Sequence, residues 1–243
     1  MSDMQIHGLP FEEWFGHASW LQEKYGAKCD GRWPTLKAAI NLYLQAGGGR
    51  IVETGCVRQA EDYGAGYSTA IFGDMLMRMR GVAGLKPSRL DTVDNNEAHL
   101  KTCRELTAPY AEAITYHHSD SVGFLRNMTG PPVQLLYLDS WDYPYGAMLD
   151  VYGGRDNLEA AIKRLATRSL PEIVAEFGTL IDPAQQHCLK EFMASIHNLA
   201  ADGVVLIDDN NFPGGGKSRL ARAALVAEGF RCVMDYQQTL WLR

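Results

Sequence analysis

Short runs rich in apolar and β-branched residues alternate with longer stretches of helical periodicity along most of the chain. The runs that favour strands are RIVETG (50–55), RLDTVDN (89–95), AITYHHSD (113–120), VQLLYLD (133–139) and GVVLIDD (203–209). The helical stretches between them are YSTAIFGDMLMRMR, NEAHLKTCRELT, SVGFLRN and AQQHCLKEFMASIHNLA. Strands that alternate with helices predict an α/β fold, in which a mostly parallel sheet is covered by helices on both faces.

The C-terminal segment, FRCVMDYQQTLWLR, has a different pattern with no room for a helix. It predicts two strands that turn near Gln237 and Gln238. Strands joined by so short a turn must be antiparallel, so the parallel sheet is expected to end in a hairpin.

Helix-capping residues stand near residue 182. Asp182 can cap a helix, Pro183 suits the first helical position, and Gln185 stands where a capping box has Glu or Gln. The sequence therefore predicts that the helix before the fifth run begins here.

Two segments lie outside the alternation and divide the chain. Residues 9–46 predict a pair of helices, with Trp14, Phe15, Trp20 and Leu21 on one and Leu36, Ile40 and Leu44 on the other. We therefore expect a helical cap over 1–46 and an α/β domain over 47–243. Residues 141–183 form a long insertion in that domain, and long connections in compact domains usually have a function.

The charge distribution argues against a nucleic acid partner. The chain has 243 residues, of which 46% are hydrophobic and 21% charged, as is ordinary for a soluble globular protein. Its net charge is −6 and its Lys and Arg residues are dispersed, so no basic stripe suited to phosphate backbones is present.

The cysteines and the N-terminus favour a cytoplasmic protein. Five cysteines are widely spaced without a CxxC pair, which fits a reducing compartment. Asp3 and Glu12 stand where a signal peptide would be basic and then apolar. The most apolar helical stretch contains Lys37, Asn41 and Gln45, so no membrane span is expected.

Acidic residues stand at or near the carboxyl end of every predicted parallel strand. They are Glu53, Asp94, Asp120, Asp139 and the pair Asp208 and Asp209. Any one of them can be explained as a turn or capping residue. Ligands of open parallel sheets bind at this edge, however, so five strands with the same feature indicate a binding site.

The ordered motifs IVETGC, GAGYST, LDTVDNN, YHHSDSVGFL and LLYLDSWD resemble those of class I S-adenosylmethionine (SAM) dependent methyltransferases. The resemblance covers residues 47–243 and includes the terminal hairpin. It implies a Rossmann-like three-layer sandwich with a mostly parallel seven-stranded sheet, preceded by the helical cap, and a homo-oligomer is common among such proteins. A nicotinamide dehydrogenase fits less well, because GAGYST lacks the last glycine of G-x-G-x-x-G.

The resemblance implies a set of cofactor-binding residues. They are Glu53, Gly55, Gly66, Ser68, Asp94, Ser119 and Asp120. Asp94 is suited to accept both ribose hydroxyls, as an acidic residue does in dinucleotide sites. Asp120, with Ser119, resembles the position that receives the adenine amino group. The family's compact E-x-G-x-x-x-G is split here by RQAEDYGA, so Arg58 and its neighbours in the 57–65 insertion are alternative substrate contacts.

The resemblance extends to the divalent-metal-dependent O-methyltransferases of the catechol and macrolide-sugar types, and LIDDNNFPG is closer to the second. Asp139, Asp208 and Asp209 should converge, and like charges about 4 Å apart repel by roughly 4 kcal/mol at an effective dielectric near 20. Protons or a cation must relieve this repulsion, and oxygen-only ligands favour magnesium or calcium. The alternative is that these aspartates cap the loop or contact substrate.

We expect a SAM-dependent O-methyltransferase that acts on a hydroxyl of a small molecule, with a divalent cation lowering the pKa of that hydroxyl. Asp142 and Asp139 are the candidate catalytic residues, with Asp142 preferred as the general base. The alternatives are a metal-independent methyltransferase of amines or polar substrates, and a SAM- or nucleotide-binding module without activity. His117 is either a hydrogen-bonded core or rim histidine or a catalytic base, and Trp141 is either part of a wall for a flat or sugar-like substrate or part of a packed aromatic patch. Lys217 of PGGGK is predicted to open the next helix.

Overall fold

The structure is a computed structural model, and the residues that it describes are 5–6, 9–10, 19–60, 67–82, 84–142, 145–165, 170–212 and 215–243. Within them, seven strands form one sheet. The strands are β1 (Arg50–Thr54), β2 (Arg89–Asp94), β3 (Ile114–His118), β4 (Val133–Leu138), β5 (Leu199–Ile207), β6 (Arg231–Asp235) and β7 (Thr239–Leu242). A separate pair of two-residue strands, Gln5–Ile6 and Leu9–Pro10, is antiparallel.

The order of the strands across the sheet is β3-β2-β1-β4-β5-β7-β6. Strands β1 to β5 are parallel, and β7 is antiparallel to both β5 and β6. The predicted mostly parallel sheet with a terminal antiparallel hairpin is therefore confirmed. Strands β2 and β3 are added on one side of β1, and β4 and β5 on its other side, so the strand order reverses between β1 and β4. The carboxyl ends of β1 and β4 therefore lie side by side, where α/β proteins bind ligands.

Helices cover both faces of this sheet. They are α1 (residues 19–25), α2 (Trp33–Gln45), α3 (Ser68–Met79), α4 (Glu97–Leu106), α5 (Ser121–Asn127), α6 (Tyr145–Tyr152), α7 (Arg155–Leu165), α8 (Leu170–Ser195) and α9 (Ala221–Ala227). Among the described residues, no helix combines the length and the apolar character that crossing a bilayer requires.

Alternate residues of β4 contribute to two separate hydrophobic cores. Leu135 packs in a core with residues of α1, α2 and α3, and Leu136 packs in a core with Phe192 of α8 and Leu225 of α9. Every residue of β4 is buried, because a central parallel strand has helices on both faces. The predicted three-layer sandwich is confirmed.

The N-terminal cap matches its predicted helical pattern over residues 19–46, but Leu9 and Pro10, which were predicted to begin the first helix, form a short strand instead. Leu21, Leu36, Ile40 and Leu44 are buried and belong to the core beneath one face of the sheet. Trp14 and Phe15, which were predicted to lie on the first of the two helices, are outside the described residues.

The predicted helix start at Asp182 is wrong, because α8 runs without interruption from Leu170 to Ser195 and contains Pro183 in its interior. An interior proline removes one backbone hydrogen bond and costs about 3 kcal/mol. The following turns bury Cys188 and Phe192 against the sheet, which offsets that cost. The 141–183 insertion thus consists of α6, α7 and the first half of α8. The same helix also ends earlier than predicted, since β5 begins at Leu199.

Candidate active site

Two adjoining cavities of about 340 Å³ and about 70 Å³ lie at the carboxyl edge of the sheet. They share the wall residues Gly55, Asp94, Asn95, Ser140 and Trp141. The larger is also lined by Cys56, Arg58, Ser68, His99, Asp139 and Asp142, and the smaller by Val93, Ser119, Asp120, Ser121 and His187. We call the two together the cleft. Seven of the predicted site residues therefore meet in one place.

Gly55 allows the loop after β1 to pass against the loop after β4. Its φ is +83°, which is the left-handed region that glycine adopts without strain. A Cβ atom at this position would lie 2.5 Å from the backbone oxygen of Asp139. No side chain fits there, so the floor of the cleft requires glycine.

Glu53 is buried beneath the cleft and does not line it. Its carboxylate accepts hydrogen bonds from the hydroxyls of Ser68, Thr69 (2.6 Å) and Thr92 (3.0 Å). Burial raises the pKa of Glu53 to about 7, although the three hydroxyls act in the opposite direction. The side chain ties the first turn of α3 to β1 and β2, and Ser68 of that turn reaches the cleft.

The glycine loop lies partly outside the described residues. Gly66, which was predicted to contact the cofactor, is outside the described residues. Arg58 of the same loop lines the larger cavity.

Asp94 at the end of β2 has one carboxylate oxygen held by a backbone hydrogen bond and the other near a weak thiol donor. Its Oδ1 accepts from the Asn96 backbone N–H at 2.8 Å and lies 3.4 Å from His99 Nδ1. Its Oδ2 lies 3.4 Å from the Cys56 thiol, a weak donor that does not prevent a hydroxyl from binding. A fixed, largely buried carboxylate at a strand end fits the two hydroxyls of a ribose.

Asp120 and Ser119 follow β3 and line the smaller cavity. The carboxylate of Asp120 caps α5 by accepting from the Gly123 N–H at 2.7 Å. The same cavity is lined by Trp141 and His187, whose ring centroids lie 5.0 Å apart. Trp141 lines both cavities and is 49% exposed, which favours its interpretation as a wall for a planar ligand.

Asp139, Asp208 and Asp209 converge, as their strand positions predict, and we call them the carboxylate cluster. Two positive side chains bind it. Lys217 Nζ lies 2.8 Å from Asp139 Oδ1 and 2.9 Å from Asp209 Oδ2. Arg32 Nε lies 2.9 Å from Asp208 Oδ1 and 3.0 Å from its Oδ2, and Arg32 Nη2 lies 3.2 Å from Asp209 Oδ1.

The remaining donors to the carboxylate cluster come from its own strands. The Tyr137 hydroxyl lies 2.8 Å from Asp208 Oδ2 and 3.4 Å from Asp139 Oδ2, and the Asp209 N–H donates to Asp208 Oδ1 at 2.7 Å. Every oxygen of the three carboxylates therefore lies within hydrogen-bonding distance of a donor, and the single Tyr137 proton serves the closer Asp208 Oδ2 rather than Asp139 Oδ2. A divalent cation would have to displace Lys217 or Arg32 before it could bind.

This arrangement does not fit the predicted magnesium or calcium ion. Within the described part of the chain, no group of three or more His, Cys, Asp or Glu side chains is arranged to hold a metal. The repulsion that led us to predict a cation is instead relieved by an ammonium and a guanidinium group. Three carboxylates and two cations leave the cluster with a net charge of −1.

Burial and neighbouring charges perturb the cluster. Burial raises the pKa of Asp139 well above its usual range; Lys217 opposes this shift, while Asp208 and Asp209 add to it. Burial and the charges of Asp139 and Asp208 likewise raise the pKa of Tyr137, so this phenol stays protonated. Asp139 is therefore a carboxylate of the cluster that both lines the cleft and has a raised pKa.

The prediction that Lys217 opens a helix is wrong, since α9 begins at Ala221. The loop after β5 turns back instead, and the backbone N–H of Lys217 donates to the backbone carbonyl oxygen of Asp209 at 3.1 Å. Asp209 has a φ of +52°, and Gly216 has a φ of +59° in a position where an added Cβ would meet backbone atoms of residues 209 and 210. This backbone directs the Lys217 side chain into the carboxylate cluster.

Asp142, the preferred base, lies at the mouth of the larger cavity in an ion pair with Arg58 at 2.7 Å. Burial alone would raise the pKa of Asp142, but the hydrogen bond and charge of Arg58 lower it below its usual value. Its side chain is 68% exposed, unlike that of Asp139, which is 15% exposed.

Other residues singled out in the sequence have structural roles. His117 Nε2 lies 2.8 Å from Asp91, which also pairs with the buried Arg50 at 2.7 Å. His117 is therefore held in a polar network on the sheet, as its structural interpretation predicts. Arg32 was not predicted as a site residue. It is a single arginine between two helices, and the sequence around it does not indicate that it contacts the loop after β5.

The sheet order and the terminal antiparallel hairpin are those of the Rossmann-like methyltransferase fold. No model of a known protein family matches the sequence, and no curated protein matches it significantly.

Solved structures similar to this chain include the O-methyltransferase NovP, the SAH-bound methyltransferase PaMTH1 from Podospora anserina, and NSun6 from Pyrococcus horikoshii with SFG. NovP has a TM-score of 0.55 and 11% sequence identity, over 87% of this chain and 79% of NovP. PaMTH1 has a TM-score of 0.50 and 13% identity, over 98% and 90%. NSun6 has a TM-score of 0.52 and 12% identity, over 86% and 50%. At such identities the likeness shows the fold alone, and at that level the predicted resemblance is confirmed.

Proposed function

We propose that this chain is a SAM-dependent O-methyltransferase that acts on a hydroxyl group of a small molecule. The observation that carries the proposal is the cleft itself, which has Asp120 in its smaller cavity, Asp94 on the wall that both cavities share, and Asp139 of the carboxylate cluster in its larger cavity. One end is suited to a nucleoside and the other to a proton-releasing substrate. The net charge of −6 disfavours a nucleic acid substrate.

The cofactor would lie along the wall that both cavities share. Asp94 would accept the ribose hydroxyls, and Ser119, Asp120 and Trp141 would surround the adenine. Gly55 and Ser68 would line the path toward the methionine end. SAM, when bound, supplies an electrophilic methyl group, so the protein contributes mainly the alignment of the accepting oxygen.

Asp139 is the residue that we propose as the general base. It lines the cleft, and it belongs to a cluster whose net charge would change from −1 to zero when a carboxylate takes up a proton. A buried group of charges becomes more stable when its net charge is removed. Asp139 would accept the proton of the substrate hydroxyl, while a bond from that oxygen to the methyl carbon would replace the bond from the methyl carbon to the sulfur, so that S-adenosylhomocysteine leaves. Asp142 would instead hold Arg58 at the mouth of the cleft.

An amine substrate is the second candidate, and one feature favours it. The net negative charge of the carboxylate cluster would attract a cationic substrate as well as accept a proton. A substrate panel must therefore contain amines beside diols, phenols and sugar conjugates.

The proposal is tested by transfer of a ¹³C-labelled methyl group from SAM to members of such a panel, detected by NMR. We expect a labelled methyl ether with the wild type. Asp139→Asn should lower kcat by about 10²- to 10⁴-fold, the usual contribution of a general base, with little change in SAM affinity.

The matched control is Asp142→Asn, which removes a carboxylate of the same cleft and should change kcat by no more than about tenfold. The base assignment fails if Asp142→Asn lowers kcat as much as we expect for Asp139→Asn while Asp139→Asn stays active. Labelled methylamines would instead support the second candidate. SAM binding without any labelled product would support a module without activity.

A further inference from the structure

We propose that Lys217 and Arg32 take the place of a divalent cation in the carboxylate cluster, so that this chain functions without a metal ion there. The resemblance to metal-dependent O-methyltransferases implies the opposite. The inference concerns the charges of the cluster, so it holds whichever substrate the cleft accepts.

Lys217 Nζ occupies the space that a shared metal ion would need. It lies within 3 Å of both Asp139 and Asp209, and its side chain is 3% exposed. A magnesium or calcium ion bound by the same two carboxylates would lie about 2.0–2.6 Å from their oxygens. The ammonium group and the ion therefore cannot occupy the site together.

The second cation comes from a distant part of the chain. Arg32 lies between α1 and α2, and its guanidinium contacts both Asp208 and Asp209. Its side chain is 14% exposed. A dication added while both side chains remain would change the cluster's charge from −1 to +1 and would adjoin two positive groups, which disfavours its binding.

The loop after β5 is shaped to deliver Lys217. A Cβ on Gly216 would lie 2.3 Å from both the Asn210 Cα and the Asp209 oxygen, so this turn requires glycine. The Lys217 charge is favoured where it lies: burial would lower the pKa of its ammonium group, but Asp139 and Asp209 raise it above its usual value. The backbone of the loop and the charges of the aspartates therefore both favour a charged Lys217 within the carboxylate cluster.

Binding of Mn²⁺, followed by calorimetry, tests the proposal without reference to activity. We expect no binding at the cluster of the wild-type protein. Lys217→Ala should bind Mn²⁺ at least about tenfold more tightly than the weakest affinity that the titration detects, since it vacates the space and leaves three carboxylates with one cation. Lys190→Ala is the matched control, because Lys190 is exposed on α8, and it should behave as the wild type.

The Tm, and the recovery of folding on addition of Mn²⁺, test the proposal if Lys217→Ala does not fold in the absence of a metal ion. Mn²⁺ should raise the Tm of Lys217→Ala, or restore its folding, and should leave the wild type and the charge-retaining Lys217→Arg unchanged. Wild-type binding of Mn²⁺ that Asp208→Asn abolishes would overturn the proposal. So would a Lys217→Ala protein that folds and binds Mn²⁺ no better than the wild type.

Discussion

Glu53 stands at the expected position in the sequence, but it supports residues of the cleft and does not line the cleft itself. The motif implies a cofactor contact, but the carboxylate is enclosed by the hydroxyls of Ser68, Thr69 and Thr92. Ionising this buried carboxylate therefore lowers the stability of the fold, and its charge does not contact a ligand in the cleft. This loss of stability depends on pH, so it can be measured.

Glu53→Gln should change how stability depends on pH. The pKa of Glu53 is raised from 4.5 to about 7, so the folded state holds a proton that the unfolded state has released between these values. The stability contributed by the neutral form is fully present below about pH 4.5 and is lost as the pH rises through about 7. The glutamine variant lacks this loss.

Urea unfolding of both proteins at about pH 5 and about pH 8 provides the measurement. The free energy of unfolding of Glu53→Gln relative to the wild type should rise between these pH values, by up to about 3 kcal/mol at 1.36 kcal/mol per pKa unit. All other titrating groups are common to both proteins. A difference that stays constant with pH would contradict the assigned protonation of Glu53.

The loop after β5 is the element on which the geometry of the carboxylate cluster depends. Gly216→Ala forces a Cβ into backbone atoms of residues 209 and 210, at a φ that L-residues avoid. Gly229→Ala is a matched control, because Gly229 also has a left-handed φ, of +85°, but has no atom within 4 Å of its added Cβ.

The control should lose about 1–2 kcal/mol of unfolding free energy from backbone strain alone. Gly216→Ala should lose more than this, because the loop must also move and Lys217 moves with it. Equal losses, measured by urea unfolding, would show that the loop does not need this close contact.

The elements differ in how well the sequence predicts them. The strands and the terminal hairpin follow from local apolar patterns, because a strand covered on both faces must be apolar along its length. The start of α8 does not, since Asp182, Pro183 and Gln185 are good capping residues whose local preference is outweighed by the packing of Cys188 and Phe192. Lys217 and Arg32 depend on contacts across long stretches of chain, which a local pattern does not contain.

At the scale of the whole molecule, the sheet order brings together acids that are far apart in the sequence. Each strand end contributes one or two polar residues, and the reversal between β1 and β4 makes their loops adjacent. The convergence of Asp94, Asp139 and Asp208 could therefore be predicted from strand ends alone. The groups that neutralise the carboxylates could not be predicted in this way, because Arg32 comes from the N-terminal cap.

The central claim is that the cleft binds SAM through Asp94, and calorimetry with SAM tests it most directly. Wild-type protein should bind SAM, and Asp94→Ala should bind it at least about tenfold more weakly, since hydrogen bonds to a charged group contribute about 1.5–3 kcal/mol. Glu105→Ala, which removes an exposed carboxylate of α4, should bind as the wild type does. Absence of binding by the wild type, or equal affinity in Asp94→Ala, would contradict the account.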